Sequence, residues 1–210
     1  MRQIQPDLWE TTVERPLPSL TTHAYLLTHE TGNVLFYNTG LAGEIEQLAA
    51  LGGVARHYLS HRDELGESIN TIRDRYGALL GGHAREQEEF ARIRRPDILF
   101  ERREVHVDRI EVIPTPGHTP GSTCFFVRSA DGRSYLFTGD TLWLAGGGRW
   151  KAGYLSGISD RGALRASLLT LRELRPDLVV SSAFAGETGF MEMSPDAWPG
   201  HVEQALAQLT

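Results

Sequence analysis

Cysteine is nearly absent from this chain: among 210 residues only Cys124 could form a disulfide, so none can close within it. Cys124 sits in the apolar run Thr123-Cys124-Phe125-Phe126-Val127, which reads as a buried structural thiol rather than a nucleophile. Positive charge is also scarce. The 21 Lys and Arg residues are scattered among 27 Asp and Glu, giving a net charge of -6 and an isoelectric point near 5.7. That balance disfavours a general binder of phosphate backbones, so nucleic acid is not an expected partner. The amino end, Met1-Arg2-Gln3-Ile4-Gln5-Pro6-Asp7, lacks the apolar run of a secretory leader, and no segment reaches membrane-spanning length. A soluble, cytosolic protein with no membrane partner is the expectation. No Pro/Ser-rich linker, low-complexity tract or short repeat interrupts the chain, so residues 1–210 read as a single domain with a substantial core.

What is present is mostly β-like at first. Leu8 to Val13, His23 to Thr28 and Val34 to Tyr37 read as strands, with Glu30-Thr31-Gly32-Asn33 as a hairpin turn. A helix is expected from Glu44 to Leu51, stopped by Gly52-Gly53, followed by a strand from Val54 to Ser60 and a helix from Ser68 to Tyr76. The charged run Arg85-Glu86-Gln87-Glu88-Glu89 reads as a solvated helix or loop. Strand-like alternation resumes between Ile98 and Pro114, and Ser122 to Val127 and Ser134 to Thr138 pair across Ala130-Asp131-Gly132-Arg133. Thr141 to Ser159 is expected to be a long, aromatic loop lining a pocket. Asp160 caps a helix to Arg175, Leu178 to Ser182 forms a last strand, and Gly200 to Leu209 a last helix. Two β-rich halves, each finished by helices, define an α/β fold: a four-layer αββα sandwich.

Chemistry concentrates at three strand ends. Thr115-Pro116-Gly117-His118-Thr119-Pro120-Gly121-Ser122 places His118 on a turn, Phe137-Thr138-Gly139-Asp140 places Asp140 on another, and His61-Arg62-Asp63-Glu64 follows the Val54 to Ser60 strand. Imidazole and carboxylate held at strand ends can converge on one ion, and this donor set suits Zn, Fe or Mn better than Ca or Mg. The bland readings are turn chemistry for Asp140, loop hydrogen bonding for His118, helix capping for Asp63, and solvation for Glu64 and Glu67. His83, Trp143, Trp150 and Tyr154 are candidates for a substrate wall, with packing as the other reading of each.

Taken in order over nearly the whole chain, Tyr37-Asn38-Thr39-Gly40, Leu59-Ser60-His61, Pro116 to Ser122 and Phe137 to Asp140 resemble the metallo-β-lactamase superfamily, in particular its hydroxyacylglutathione hydrolase-like branches. The resemblance implies an αββα fold with a metal site at one edge of the sandwich. Against the family's first motif, His-x-His-x-Asp-His, this chain reads His61-Arg62-Asp63-Glu64-Leu65-Gly66. His61 keeps the first histidine, Asp63 replaces the second, and Leu65 and Gly66 replace the Asp-His pair. His118 and Asp140 match the next two ligands, and the family's last histidine aligns with Ser181-Ser182-Ala183. Asn38 stands where a supporting aspartate is usual.

The family's first metal uses the first three histidines, its second uses the motif Asp-His pair with the last histidine, and the later aspartate bridges. Here the first set survives as His61, Asp63, His118 and Asp140, whereas the second retains Asp140 alone. The expectation is one divalent transition metal, Zn, Fe or Mn. It would activate water against an ester, thioester or similar bond of a small molecule, with Asp63, Glu64 or Asp140 taking the proton. Two other readings stand beside it. One is a mononuclear iron oxygenase resembling the persulfide dioxygenase branch, with His61, His118 and Asp140 as a facial triad. The other is a binding protein that keeps the fold without turnover and carries no stoichiometric metal. Neither the substrate nor the oligomeric state is specified by the sequence.

Overall fold

A computed structural model describes residues 1–18, 20–186, 188–194 and 196–209. Seven strands form the first sheet, in the order Arg2–Gln5, Leu8–Glu10, Tyr25–Leu27, Val34–Phe36, Arg56–Tyr58, Leu79–His83 and Ile98–Phe100. Pairing is antiparallel up to Val34–Phe36 and parallel from there onward. The second sheet orders Glu104–His106, Ile110–Pro114, Thr123–Arg128, Ser134–Gly139, Leu178–Ser181 and Phe190–Glu192. A third, with strands Arg149–Ala152, Leu142–Ala145, Ala183–Phe184, Leu20–Thr22 and Glu14–Leu17, draws on both halves of the chain. Among the described residues, five α-helices complete the set: α1 (Ala42–Gln47), α2 (Ser68–Tyr76), α3 (Gln87–Phe90), α4 (Arg161–Arg172) and α5 (Trp198–Leu206).

Layering follows from the apolar clusters. Tyr25, Phe36, Tyr58, Phe125 and Phe137 fill the space between the first two sheets, with the Phe36 and Phe137 rings stacked at 4.2 Å. Outside the first sheet, Leu26 and Leu35 pack with Ile45 of α1 and Ile72 of α2. Outside the second, Phe126 and Leu136 pack with Leu164, Leu168 and Leu171 of α4 and with Trp198 and Val202 of α5. Helix, sheet, sheet, helix is the expected αββα order, each sheet hydrophobic on both faces because both are covered.

Element boundaries differ locally from the sequence expectations. α1 ends at Gln47 and continues as a 3-10 turn, Leu48–Leu51, before Gly52 at φ +96°. Thr141 to Ser159 is not a long loop: Leu142–Ala145 and Arg149–Ala152 form a hairpin across Gly146-Gly147-Gly148. Leu142, Leu144 and Trp150 point inward, a period-2 pattern that its glycines and aromatics obscured. Leu178–Ser181 is not the last strand, since Ala183–Phe184 and Phe190–Glu192 follow. α5 begins at Trp198, with Pro199 in the first turn where its missing N–H costs no bond. Asp160 caps α4 as expected, accepting from Ala163 N at 2.9 Å.

Tyr37 ends the Val34–Phe36 strand in the left-handed region, φ +64°, which is uncommon for a residue with a side chain. Its backbone and hydroxyl hydrogen bonds hold it there, including Tyr37 N to Tyr58 O at 3.0 Å. The buried His57 donates Nε2–H to Tyr37 O at 2.7 Å, and the Tyr37 hydroxyl accepts from Gly139 N at 2.9 Å while lying 3.2 Å from Val180 O. Burial pushes the His57 imidazole down from 6.5 to about 4, against the raising effect of its bond to Tyr37. The folded value lies below the unfolded one, so the unfolded chain takes the proton first. The contribution is complete above about pH 6.5 and lost as pH falls toward 4, worth up to roughly 3 kcal/mol. Urea unfolding at a series of pH values should show this loss in the wild type, and His57→Gln, which keeps the donor but not the titration, should flatten it.

Candidate metal centre

Each candidate ligand is placed by a backbone feature that the local sequence makes possible. His61 follows the parallel strand Arg56–Tyr58, and Asp140 follows Ser134–Gly139, so both leave carboxyl ends of strands, where α/β sheets expose loops to ligands. Gly139 has φ +53°, and a Cβ there would lie 2.3 Å from Ser60 Oγ. The His118 loop presses on α4: Gly117, at φ +140°, would place a Cβ 2.3 Å from the backbone of Leu164. Only glycine meets both demands. The Gly117 carbonyl in turn accepts from Asp160 N at 2.8 Å, tying the loop to the helix start.

The side chains converge. His61 Nε2 lies 3.8 Å from Asp63 Oδ2 and 3.6 Å from Asp140 Oδ2; His118 Nε2 lies 3.6 Å from Asp63 Oδ2 and 3.9 Å from Asp140 Oδ2. One donor atom each from His61, Asp63 and His118 falls within 4.8 Å of the other two. Asp140 approaches both imidazoles from its own strand end, its Oδ1 accepting from Ala183 N at 3.2 Å. These separations are too long for hydrogen bonds, but donors bound at about 2.1 Å in a tetrahedron stand about 3.4 Å apart, close to what is seen.

Both imidazoles are buried, and neither Nε2 atom has a hydrogen-bond partner among the described residues. Their other nitrogens are engaged. His118 Nδ1 donates to Gly153 O at 2.7 Å, and His61 Nδ1 meets Ser60 Oγ at 2.8 Å. A buried, unpaired polar atom costs about 1–3 kcal/mol, so two such atoms facing two carboxylates fit a cation between them. Electrostatics agree. Burial pulls the His61 imidazole down, but the Glu64 hydrogen bond and the Asp140, Glu64 and Asp63 charges outweigh it and raise the group to about 9. Asp63, partly exposed, is held below the ordinary carboxylate range chiefly by His118, against the opposing effect of burial.

The four predicted ligands thus come together, and several other sequence readings are corrected. Glu64 is not solvated, and its carboxylate lies on the Nδ1 side of His61, with Oε1 3.5 Å from that nitrogen. It accepts from Ser60 Oγ at 2.5 Å and from Ser60 N at 2.8 Å. Trp150 belongs to the core, fully buried against Trp198 with ring centroids 6.1 Å apart. His83 is outside the pocket wall; it is buried and accepts from Arg85 N at 3.1 Å. Trp143 and Tyr154 do line the cavity at the site, a space of about 1290 Å³ that also includes Leu20, Ile45, Lys151 and Leu155. Lys151, opposite Trp143 in the hairpin, lies with Nζ 5.7 Å from that ring. Leu65, Gly66 and Ala183 line the same cavity, and none of the three side chains can bind a metal. Asn38 is spent on structure, donating to Glu64 O at 3.0 Å and accepting from Ser68 Oγ at 3.1 Å.

Sequence reasoning missed Glu86. It lies in the charged run expected to be solvated, yet it is fully buried. One carboxylate oxygen accepts from Arg62 N at 2.9 Å and the other from Gly121 N at 3.2 Å. Arg62 separates His61 from Asp63, and Gly121 lies three residues beyond His118, so one carboxylate joins both ligand loops. Neighbouring Glu88 and Glu89 are chemically alike, and nothing in the sequence distinguishes the one turned inward.

The sequence model of the metallo-β-lactamase superfamily matches residues 49–183, most of the chain, and the protein belongs to that superfamily. Members bind divalent metals, usually Zn. A curated hydroxyacylglutathione hydrolase from Albidiferax ferrireducens is 32% identical over 140 residues, 64% of this chain, which supports the hydroxyacylglutathione hydrolase-like branch. The match spans 53%, about half, of that relative's length. Among solved structures, a metallo-β-lactamase from Pontibacter korlensis superposes with a TM-score of 0.74 at 16% identity, covering 99% of this chain and 96% of that one. An archaeal superfamily protein from Sulfolobus tokodaii gives 0.68 at 18% identity, with 96% and 85% covered. These likenesses establish the fold. No helix among the described residues is long and apolar enough to cross a membrane.

Glu86→Ala should leave two buried N–H groups unpaired and cost roughly 2–4 kcal/mol in urea unfolding. Glu86→Gln, which keeps one acceptor, should cost less than Glu86→Ala.

Proposed function

We propose that this protein is a mononuclear metal-dependent hydrolase of ester or thioester bonds in small molecules, its single ion held by His61, Asp63, His118 and Asp140. The observation that carries this reading is the pair of buried, unpartnered Nε2 atoms of His61 and His118, turned toward two carboxylates at a large cavity. A divalent ion bound there would lower the pKa of water and polarise a carbonyl. The residues divide the remaining work. With an ion bound, His61 and His118 would offer it their Nε2 lone pairs, Asp63 is held in its charged form and favours a cation, and Glu64 is committed to Ser60. Asp140, reaching the histidines from the opposite sheet, is left as the acceptor of the water proton. Trp143 and Tyr154 bound the space where an acyl or leaving group would sit.

The similarity to a hydroxyacylglutathione hydrolase supports hydrolysis, and the loss of side-chain donors at Leu65, Gly66 and Ala183 supports a single ion. Two histidines with a carboxylate also suit a facial iron site, so the oxygenase is the second reading. Elemental analysis of protein purified without chelator should find one transition-metal ion per chain, strongly reduced in His61→Ala and His118→Ala. Two tightly bound ions would overturn the assignment. The combined change Leu65→Asp, Gly66→His and Ala183→His should raise the stoichiometry toward two. Turnover of a thioester without O₂ uptake supports the hydrolase, and O₂ consumption with an iron-loaded protein supports the oxygenase.

A further inference from the structure

Behind His61, on the side away from the other ligands, lies an arrangement that the resemblance to the superfamily does not account for. His61 Nδ1 is 2.8 Å from Ser60 Oγ, Ser60 Oγ donates to Glu64 Oε1 at 2.5 Å, and Ser60 N–H donates to Glu64 Oε2 at 2.8 Å. Ser60 is 1% exposed, and its hydroxyl is pressed against the Gly139 backbone, where a Cβ would come within 2.3 Å. The turn carrying Glu64 is itself closed. Glu64 N donates to His61 O at 3.3 Å, and Asn38 Nδ2 to Glu64 O at 3.0 Å.

Direction follows from donor counting. An ionised carboxylate only accepts, so Glu64 takes both Ser60 protons, the amide and the hydroxyl. Having donated its one hydrogen, Ser60 Oγ can only accept from His61, and the His61 proton therefore sits on Nδ1. We propose that Glu64, acting through the Ser60 hydroxyl, is a positioning residue that fixes His61 in the Nδ1–H form with its Nε2 lone pair aimed at the ion. The inference rests on the one-ion reading above and adds to it the residue that sets the polarity of one ligand. His118 reaches the same form by a separate route, its Nδ1–H on Gly153 O.

Glu64→Gln has a specific consequence. Ser60 N–H demands the amide oxygen, which leaves the amide NH₂ facing Ser60 Oγ. The hydroxyl then turns its hydrogen to His61 Nδ1, and the ring proton moves to Nε2, where it blocks the metal. Ser60→Ala removes the hydroxyl that transmits this reversal.

The test measures Co²⁺ binding to the metal-free protein by ligand-field absorption and by competition with a chelator. Glu64→Gln should weaken binding about ten- to a hundredfold, the range expected for a partner behind a metal ligand. The double variant Ser60→Ala/Glu64→Gln should bind no more weakly than Glu64→Gln alone, because both changes act through one hydroxyl. In Zn²⁺-loaded protein, the His61 Nδ1–H proton resonance should shift in Ser60→Ala while that of His118 stays in place, a selectivity that general loosening of the fold would not give. Wild-type Co²⁺ affinity in Glu64→Gln, or two losses that multiply in the double variant, overturns the proposal alone. Failure of the wild-type protein to bind Co²⁺ overturns it together with the one-ion reading.

Discussion

The site depends on one close approach, the backbone of Gly139 packed against Ser60. Gly139 ends a strand of the second sheet and Ser60 lies two residues beyond a strand of the first, and the absence of a Cβ at Gly139 lets them meet where a side chain would hold them apart. The next residue after each is a candidate ligand, Asp140 on one side and His61 on the other, 3.6 Å apart. Tyr37 reinforces the joint, its left-handed backbone held by His57 and its hydroxyl bound to Gly139 N. The aromatic stack between the sheets sets their spacing, and this contact converts that spacing into the separation of two donors.

Carboxylates occupy two tiers around that joint. Asp63 and Asp140 face the imidazoles, while Glu64 and Glu86 stand behind them and are satisfied by backbone or hydroxyl donors. The outer pair sits in little-solvated surroundings, where donors from Ser60, Arg62 and Gly121 satisfy its oxygens. Glu86 keeps the His61 and His118 loops in register, and Glu64 orders Ser60. The inner pair supplies negative charge beside the two imidazoles, which suits a cation.

Much of this was legible in the chain. The Pro-Gly-His and Thr-Gly-Asp turns, the strand before His61 and the apolar spacing of α4 are short-range patterns, each with a local physical cause, and each led to the right place. Trp150 and Trp143 illustrate the limit. They lie in one hairpin with the same composition around them, yet alternation sends Trp150 into the core and Trp143 to the cavity, and reading the segment as a loop hid that alternation. Glu86 was illegible for another reason: its partners, Arg62 and Gly121, are distant in sequence and contribute backbone amides, which every residue possesses.

The sequence by itself determined the layered fold and the superfamily, because hydrophobic period and turn glycines are properties of short segments, and it pointed to His61, Asp63, His118 and Asp140 as residues that stand close together in space. It also showed that Leu65, Gly66 and Ala183 have no side-chain group that could coordinate a metal. Only the tertiary structure decided which nitrogen of each histidine is free, which glutamates are buried and which aromatic faces the cavity. Those depend on donors and surfaces brought together across sheets, and hydrogen-bond direction and burial exist only once the distant partners are in place.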